Sequence, residues 1–206
     1  MFFTRTPRIF KFLFKDIIWD IPDSDKVYLS FDDGPDPDST PFLLEFLKAQ
    51  EIHACFFCTA SKIERYPELH ELILEHGHLV HNHGYEHTSA WKQSVSAFTE
   101  DVDKADKIIR SSFFRPPYGR LGARNYLKLR QKYKIVMWSL MPGDFSDKKT
   151  EQDMIYVAEN QLFPGDIVVL HDNADCLNKI KAFILQAKNR SIEFGVFQQK
   201  NETLTH

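Results

Sequence analysis

Val27-Tyr28-Leu29-Ser30-Phe31-Asp32-Asp33-Gly34-Pro35 is the segment around which the rest of the chain is arranged. Its first five residues are uncharged and mostly apolar, and such a short run predicts a buried β-strand. Two adjacent carboxylates, Asp32 and Asp33, follow at the end of that strand. Because neighbouring side chains of a strand point to opposite faces, both carboxylates serve one site only if the backbone turns at once. Gly34-Pro35 is typical of such a turn.

The two side-by-side carboxylates carry an electrostatic cost, because like charges repel each other. A bound cation would remove that cost, as would a division of roles in which one carboxylate binds a metal and the other accepts protons. A solvated surface turn is the simpler interpretation of the dipeptide alone, and both alternatives stay open at this point.

Composition limits the class of protein. The chain has 206 residues, of which 43% are hydrophobic and 27% charged, as in an ordinary soluble domain. A net charge of −3 gives no case for nucleic-acid binding. Three cysteines do not make a disulfide framework. Cys55 and Cys58 lie in an expected strand, where positions three apart face opposite ways, so we interpret them as core residues rather than a metal or redox pair.

The first 19 residues mix aromatic and aliphatic side chains with four cations: Arg5, Arg8, Lys11 and Lys15. One interpretation is a basic amphipathic segment that touches a membrane surface. The other, which we favour, is a lid packed on the floor of the fold. We therefore expect residues 1–25 to pack on a catalytic domain formed by residues 26–206. No apolar run suits a signal peptide or a transmembrane helix, so we expect a cytoplasmic location, without firm evidence for membrane binding.

Strand and helix patterns alternate about seven times along the chain. Such alternation indicates parallel strands joined by crossover helices, either in a closed (β/α) barrel or in an open doubly wound sheet. In both architectures functional residues gather at the carboxyl ends of the strands. Polar residues follow five of the predicted strands: Asp32 and Asp33, the histidines between 76 and 87, Arg115, Asp144, and His171 with Asp172.

Five of the nine histidines lie between residues 76 and 87. His83 and His87 are four residues apart, and one helical turn would place both imidazoles on one face, a spacing suited to two ligands of one metal. A nearby carboxylate would complete the site. A site of His81, His83 and His87 is an alternative, although it leaves the paired aspartates without a role. We interpret the other two histidines of this stretch, His76 and His78, as structural.

Four motifs follow one another along the chain: Ser30-Phe31-Asp32-Asp33-Gly34-Pro35, His83-x-x-x-His87, Arg115-Pro116-Pro117-Tyr118-Gly119 and Val169-Leu170-His171-Asp172. Together they resemble the successive motifs of the polysaccharide deacetylases, also called the NodB-homology domain or carbohydrate esterase family 4, over about residues 25–197. The resemblance implies a single-domain distorted (β/α) barrel with seven or eight strands. It also implies metal-dependent removal of acetyl groups from N-acetylated sugars.

The resemblance further implies a role for each matching residue. Asp32 would be the general base, held ionised by Arg115, and His171 would be the general acid, tuned by Asp144. The backbone N–H of Tyr118 would help to form the oxyanion hole. The metal ligands would be Asp33, His83 and His87. The substrate would be bound by Pro117, Tyr118, Phe145 and Val169.

Three positions depart from the family pattern. Gly84 follows the first histidine ligand where Ser or Thr is usual, so a hydroxyl that would tie down the loop is missing, and we expect a looser loop or weaker metal binding. Phe145 follows Asp144 where Trp is usual, which keeps an aromatic wall. Val169 stands where Leu is common and enlarges the acetyl pocket by about one methylene. None of these changes removes a reacting group.

These roles agree with the chemistry of amide hydrolysis, which needs a proton acceptor, an acid for the leaving amine and charge stabilisation at the carbonyl. The expected protein is a hydrolase of non-peptide carbon–nitrogen bonds that acts on a GlcNAc-containing glycan of chitin or peptidoglycan type. An O-acetyl esterase of xylan-like substrates and a metal- or glycan-binding module without turnover are the alternatives. Zinc is the default divalent metal, and the ligand set also suits cobalt, nickel or manganese. From inside the cell, a cell-wall precursor or a small amide would be the accessible substrate.

Overall fold

The computed structural model describes residues 3–197. Residues 1–2 and 198–206 lie outside the described part of the chain, so the outer ends of the expected segment 1–25 and of the expected domain 26–206 are not covered. The division between that segment and that domain stays a prediction. Within residues 3–197, no helix combines the length and the apolar character needed to cross a lipid bilayer.

Seven parallel strands form one sheet in the described residues. In chain order they are β1 (Val27–Asp32), β2 (Cys55–Cys58), β3 (Leu79–Asn82), β4 (Phe113–Phe114), β5 (Lys134–Ile135), β6 (Ile167–His171) and β7 (Phe194–Gly195). The hydrogen-bonded order is β5-β4-β3-β2-β1-β6, and β7 also pairs with β1. β1 is thus central, and its alternate residues Val27, Leu29 and Phe31 enter the main core. The predicted parallel α/β architecture is confirmed.

Eight helices surround the strands within the described residues. They are α1 (Arg8–Leu13), α2 (Thr40–Ala49), α3 (Ala60–Arg65), α4 (Pro67–Glu75), α5 (Val95–Ile109), α6 (Ala123–Leu129), α7 (Glu151–Asn160) and α8 (Leu177–Asn189). Ser94 caps α5 by accepting from the N–H of Ala97, and Thr150 with Asp153 forms a capping box at the start of α7. These caps fix the residues at which α5 and α7 begin.

The barrel closes through an irregular stretch rather than a regular strand. The sequence predicts a strand from Ile135 to Leu140, but regular pairing ends at Ile135. Val136 N still donates to the carbonyl of Phe114 in β4 at 2.9 Å. Ser139 N, in contrast, donates to the carbonyl of Ile167 in β6 at 3.0 Å. The stretch 136–140 therefore crosses from one edge of the sheet to the other. This crossing gives the predicted distorted barrel and excludes the open-sheet alternative.

The N-terminal segment lies along this irregular wall. Thr6 N donates to the carbonyl of Ser139 at 3.0 Å, and Met137 N donates to the carbonyl of Ile18 at 2.8 Å. Two parts of the segment also reach the start of β6: Ile21 N donates to the carbonyl of Gly165, and the guanidinium of Arg5 donates to both carboxylate oxygens of Asp166 at 2.8 Å. The segment thus runs along the side of the barrel and meets the expected floor at Gly165 and Asp166. The physical reason is that the irregular wall leaves backbone groups that need hydrogen-bond partners.

The cysteines are core residues, as predicted. All three are free and buried. Cys58 packs in the main cluster with Phe31 and Phe56, and Cys55 faces the opposite side, in a cluster with Phe57. Their opposite orientation in β2 excludes a shared metal between Cys55 and Cys58.

Candidate active site

Asp32 and Asp33 stand at the carboxyl end of β1. In the parallel register, Asp32 lies beside His171 at the end of β6. Asp33 has a φ of +74°, a left-handed conformation that Asp adopts more readily than most residues. The turn that directs both carboxylates to one site therefore lies at Asp33 itself, one residue earlier than we predicted from Gly34-Pro35.

Asp172 supports this turn from behind. Its backbone N–H donates to the carbonyl of Asp32 at 2.9 Å. Its buried carboxylate accepts from the hydroxyls of Ser39 at 2.6 Å and Thr40 at 2.5 Å, and burial raises the pKa of Asp172 to about 6. Asp172 therefore holds the segment between β1 and α2 rather than facing the cavity described below.

Three side chains that offer metal-ligand atoms meet in front of β1. One ligand atom from each of Asp33, His83 and His87 lies within 4.8 Å of the others. The Oδ1 atom of Asp33 is 2.9 Å from Nε2 of His87 and 3.4 Å from Nε2 of His83. The structure thus brings together the three residues that the resemblance implied as ligands.

The orientation of these groups fits a divalent cation. The backbone carbonyl of Arg115 accepts a hydrogen bond from Nδ1 of His83 at 2.8 Å, which fixes the tautomer and leaves Nε2 free to bind a metal. Burial would raise the pKa of Asp33, but hydrogen bonds and charges from His83 and His87 hold that pKa well below its usual range. Two imidazole nitrogens and one carboxylate oxygen form the ligand set of an open catalytic site.

The segment from His83 to His87 is a loop and not a helical turn, so our reason for pairing these histidines was wrong although the pairing was right. β3 ends at Asn82, and left-handed φ values of +84° at Gly84 and +50° at His87 fold the loop back. Their imidazole rings meet with centroids 5.0 Å apart. A conformation at φ +84° favours glycine, which gives a structural reason for Gly84.

Other residues replace the missing hydroxyl at position 84. Asn82 Oδ1 accepts from the N–H of Gly84 at 2.8 Å. Asp101 of α5 accepts from the N–H of Tyr85 at 2.8 Å, and the hydroxyl of Tyr85 donates to Glu64 at 2.6 Å. The loop is therefore tied at several points, contrary to the looser loop that we expected.

Asp32 is held by a fully buried guanidinium. Nη1 of Arg115 donates to Oδ1 of Asp32 at 2.5 Å and to the hydroxyl of Ser30 at 2.8 Å. Nη2 donates to the carbonyl of Met137 at 3.1 Å, and the guanidinium carbon lies 3.9 Å from the ring centroid of Phe57. A cation fixed in this way holds the Asp32 carboxylate in one orientation through a buried, charge-assisted hydrogen bond.

His171 carries its own carboxylate partner, Asp144, which is fully buried. Oδ1 of Asp144 is 3.1 Å from Nδ1 of His171, and Oδ2 accepts from the backbone N–H of His171 at 2.7 Å. Burial alone would lower the pKa of His171, but the charge and hydrogen bond of Asp144 outweigh it and raise the pKa to about 9. His171 is therefore protonated at neutral pH, as a general acid must be.

Tyr118 lies beside His87 and has a left-handed backbone conformation, with φ of +60°. Among residues 3–197, no acceptor takes its backbone N–H, whereas the N–H groups of Gly119 and Arg120 bond to carbonyls of the preceding prolines. The Tyr118 ring lies 4.5 Å from the His87 ring. Gly119 follows at φ +61°, and a Cβ there would overlap the ring of Trp138. Glycine is thus required at position 119 for the Trp138 ring to pack against this turn.

These groups surround one cavity of about 330 Å³, a size suited to a small polar ligand or a sugar unit. Eight of the residues that we predicted for the site line this cavity: Asp32, Asp33, His83, His87, Tyr118, Phe145, Val169 and His171. Pro117 is buried and does not line the cavity, because it packs toward the loop at Gly84. Arg115 and Asp144 stand behind Asp32 and His171 and act through them.

Sequence reasoning missed four residues that line the cavity: Gly119, Arg120, Trp138 and Met141. Trp138 and Met141 follow the observed β5, but the sequence predicts that Trp138 lies inside a strand from Ile135 to Leu140. The irregular geometry after Ile135 turns its side chain to the site. A tryptophan close to the carboxyl end of a strand is the signal that was available.

His76, His78 and His81 point away from the cavity, so the alternative site with His81 is wrong. His81 is buried between Phe57 and Phe113, and its Nδ1 lies 2.9 Å from the hydroxyl of Ser111. Burial lowers the pKa of His81 to about 3. His78 is also buried and accepts from the N–H of Ala54 at 3.1 Å. Nδ1 of His76 donates to the carbonyl of Leu72 at the end of α4.

This barrel is found in known proteins. The family model described as polysaccharide deacetylase matches residues 20–138, more than half of the chain. The chain therefore belongs to the polysaccharide deacetylase family, and the predicted class of enzyme, a deacetylating hydrolase, is confirmed.

Individual relatives carry more specific names. A peptidoglycan-N-acetylglucosamine deacetylase of Bacillus cereus is 30% identical over 197 residues, which cover 86% of this chain and 70% of the relative. A chitooligosaccharide deacetylase of Bradyrhizobium is 31% identical, covering 74% of this chain and 73% of that protein. A crystal structure of a peptidoglycan N-acetylglucosamine deacetylase bound to an N-hydroxybenzamide has a TM-score of 0.81 at 26% identity, over 93% of this chain and 95% of that one.

Proposed function

We propose that the protein removes the acetyl group from an N-acetylated sugar of a polysaccharide or oligosaccharide with the help of a divalent metal ion. One observation carries this proposal. A carboxylate paired with a buried cation and a protonated imidazole lie on one cavity, beside three metal-ligand side chains. The names of the relatives point to peptidoglycan-type and chitin-type N-acetylglucosamine as the substrate.

Asp32 and His171 supply the acid–base pair. Asp32, paired with Arg115, accepts the proton of the attacking water. His171 is protonated below a pKa of about 9 and donates its Nε2 proton to the sugar nitrogen, which can then leave as an amine. The two residues are neighbours across β1 and β6, so one substrate amide reaches both.

The backbone N–H of Tyr118 donates to the oxygen of the tetrahedral intermediate. A fixed donor of this kind contributes about 3 kcal/mol in comparable sites. Val169 and Trp138 line the cavity and provide apolar contacts for the acetyl methyl group. Phe145 packs edge-on against the ring of His171, with ring centroids 4.9 Å apart, and covers one side of that imidazole.

Asp33, His83 and His87 would hold the metal ion. When bound, a divalent cation there supplies Lewis-acid charge that polarises the amide carbonyl and acidifies the attacking water. Zinc is the metal that we propose first, because two imidazoles and one carboxylate suit it, and cobalt, nickel and manganese are the other candidates.

The function is tested by measuring acetate release from chito-oligosaccharides, N-acetylated peptidoglycan fragments and acetylated xylan, with and without a chelator. We expect release from one of the N-acetylated glycans, its loss on chelation and its recovery when the metal is restored. Acetate from acetylated xylan alone would identify an O-acetyl esterase instead. Metal binding without any acetate release would identify a non-catalytic module.

The Asp144→Asn substitution is expected to move the alkaline limb of the pH–rate profile to lower pH. His171 has a pKa raised to about 9 by Asp144, so the acid is present below that pH and is lost as pH rises through it. Removing a close negative charge lowers a histidine pKa by about 1–3 units. The measurement is kcat against pH for the wild type and for Asp144→Asn.

Asp147→Asn is the matched control, because Asp147 is exposed in the same loop. It should leave the alkaline limb unchanged. An Asp144→Asn profile that keeps its alkaline limb at the wild-type position would refute the assignment of His171 as the acid tuned by Asp144.

A further inference from the structure

Residues 3–15 expose an unusual amount of apolar side chain. α1 buries none of its residues, and Phe12 is 66% and Leu13 61% exposed. Six large apolar side chains of this segment are exposed: Phe3, Ile9, Phe10, Phe12, Leu13 and Phe14. So many exposed apolar side chains within 12 residues indicate that something other than water covers this segment in use.

A cavity of about 690 Å³ beneath α1 extends this surface toward the candidate active site. Phe10 and Phe14 line one of its sides, and Tyr126 and Leu127 of α6 line another. Five residues are shared with the cavity of the candidate active site: Tyr118, Gly119, Arg120, Trp138 and Met141. We call the surface formed by residues 3–20 and 119–130 the N-terminal face.

The N-terminal face is strongly basic. Residues 3–20 and 119–130 contain eight lysines and arginines but only two aspartates, although the whole chain has a net charge of −3. Both aspartates are already paired, Asp16 with Arg130 at 2.6 Å and Asp20 with Lys11. In the described part of the chain, five cations of this face have no carboxylate at ion-pair distance: Arg8, Lys15, Arg120, Arg124 and Lys128.

We propose that the N-terminal face docks the protein on an anionic lipid bilayer. Apolar side chains that enter the interface, flanked by lysines and arginines that contact lipid headgroups, are the features that hold a protein on such a surface. Phe12 and Leu13 would enter the bilayer surface, while Arg8 and Lys15 would contact its negative charges. The proposal concerns binding alone and does not depend on the proposed function.

A bilayer fits this face better than a second copy of the chain. Two N-terminal faces brought together would place their unpaired cations against each other, and like charges in contact disfavour association. An anionic bilayer instead offers negative charge to Arg8 and Lys15 and an apolar interior to Phe12 and Leu13.

The test is co-sedimentation with vesicles of phosphatidylglycerol and phosphatidylcholine, compared with vesicles of phosphatidylcholine alone. We expect binding to the anionic vesicles that weakens as salt is raised. The double substitution Phe12→Ser with Leu13→Ser should reduce that binding at least about tenfold. Arg8→Glu with Lys15→Glu should reduce it by a similar factor and remove its salt dependence.

The matched control is Phe42→Ser with Leu185→Ser, because these exposed apolar residues lie on α2 and α8, outside the N-terminal face. This control should bind vesicles like the wild type. Acetate release from soluble chito-oligosaccharides, measured on the same variants, should not change, so a failure of docking and a failure of the proposed function are told apart.

Three outcomes would overturn the proposal. The first is no binding to anionic vesicles, and the second is equal loss of binding in the control variant. The third is a concentration-dependent dimer in sedimentation velocity that Phe12→Ser with Leu13→Ser abolishes, because the face would then bind a second copy.

Discussion

Replacement of Asp32 by Asn is expected to lower kcat by about 10²–10⁴-fold, the contribution usual for a general base. Asn keeps the shape of the side chain and can still accept a hydrogen bond from Arg115, but it cannot take a proton from water at neutral pH. Oδ2 of Asp32 lies 3.9 Å from Nε2 of His83, outside the group of three ligand side chains. Metal content should therefore stay unchanged while acetate release falls, and both are measured on one preparation.

Asp38→Asn is the matched control for this prediction, because Asp38 is exposed in the turn between β1 and α2. It should keep wild-type kcat. If Asp32→Asn lost metal in proportion to activity, Asp32 would be acting as a ligand, and if it kept wild-type kcat, the assignment of the base would fail.

Replacement of Arg115 by Met is expected to lower the free energy of unfolding by about 3–5 kcal/mol, as when one partner of a buried ion pair is removed. The side chain of Arg115 is fully buried, and Asp32 is only 4% exposed. Without the guanidinium, the Asp32 carboxylate is buried without its cation, and the Ser30 hydroxyl and the Met137 carbonyl lose a donor. Urea unfolding of the metal-free protein measures the change.

Two further variants separate charge from packing. Arg124→Met removes an exposed cation of α6 and should change the unfolding free energy by less than about 0.5 kcal/mol. Adding Asp32→Asn to Arg115→Met removes the unpaired carboxylate and should recover part of the lost stability. No recovery would mean that the cost comes from lost packing around Phe57 rather than from an unpaired buried charge.

The placement of functional residues at strand ends could be predicted from the sequence. Parallel strands bring their carboxyl ends to one side, so Asp32, Arg115 and His171 were expected together, and the register between β1 and β6 places Asp32 beside His171. Helix starts were also predictable, because Thr150 and Asp153 form a local capping box that needs no tertiary contact.

Features that depend on tertiary contacts were harder to predict. The loop from His83 to His87 is shaped by left-handed residues and by Asp101 from α5, whereas spacing alone suggested a helical turn. His81 shares its sequence neighbourhood with His83, but it points into the aromatic core beside Phe57. The path of residues 136–140 is set by closure of the barrel. No local sequence pattern encodes that closure.

Residues before position 20 lie outside the part of the chain that matches the family model, yet hydrogen bonds connect them to Asp32. The carbonyl of Ile18 accepts from the N–H of Met137, whose own carbonyl accepts from Arg115, which in turn holds Asp32. Three successive hydrogen bonds thus connect Ile18, near the beginning of the chain, to Asp32. A substitution near Ile18 that shifts this backbone would therefore move the Asp32 side chain while every signature motif stays intact.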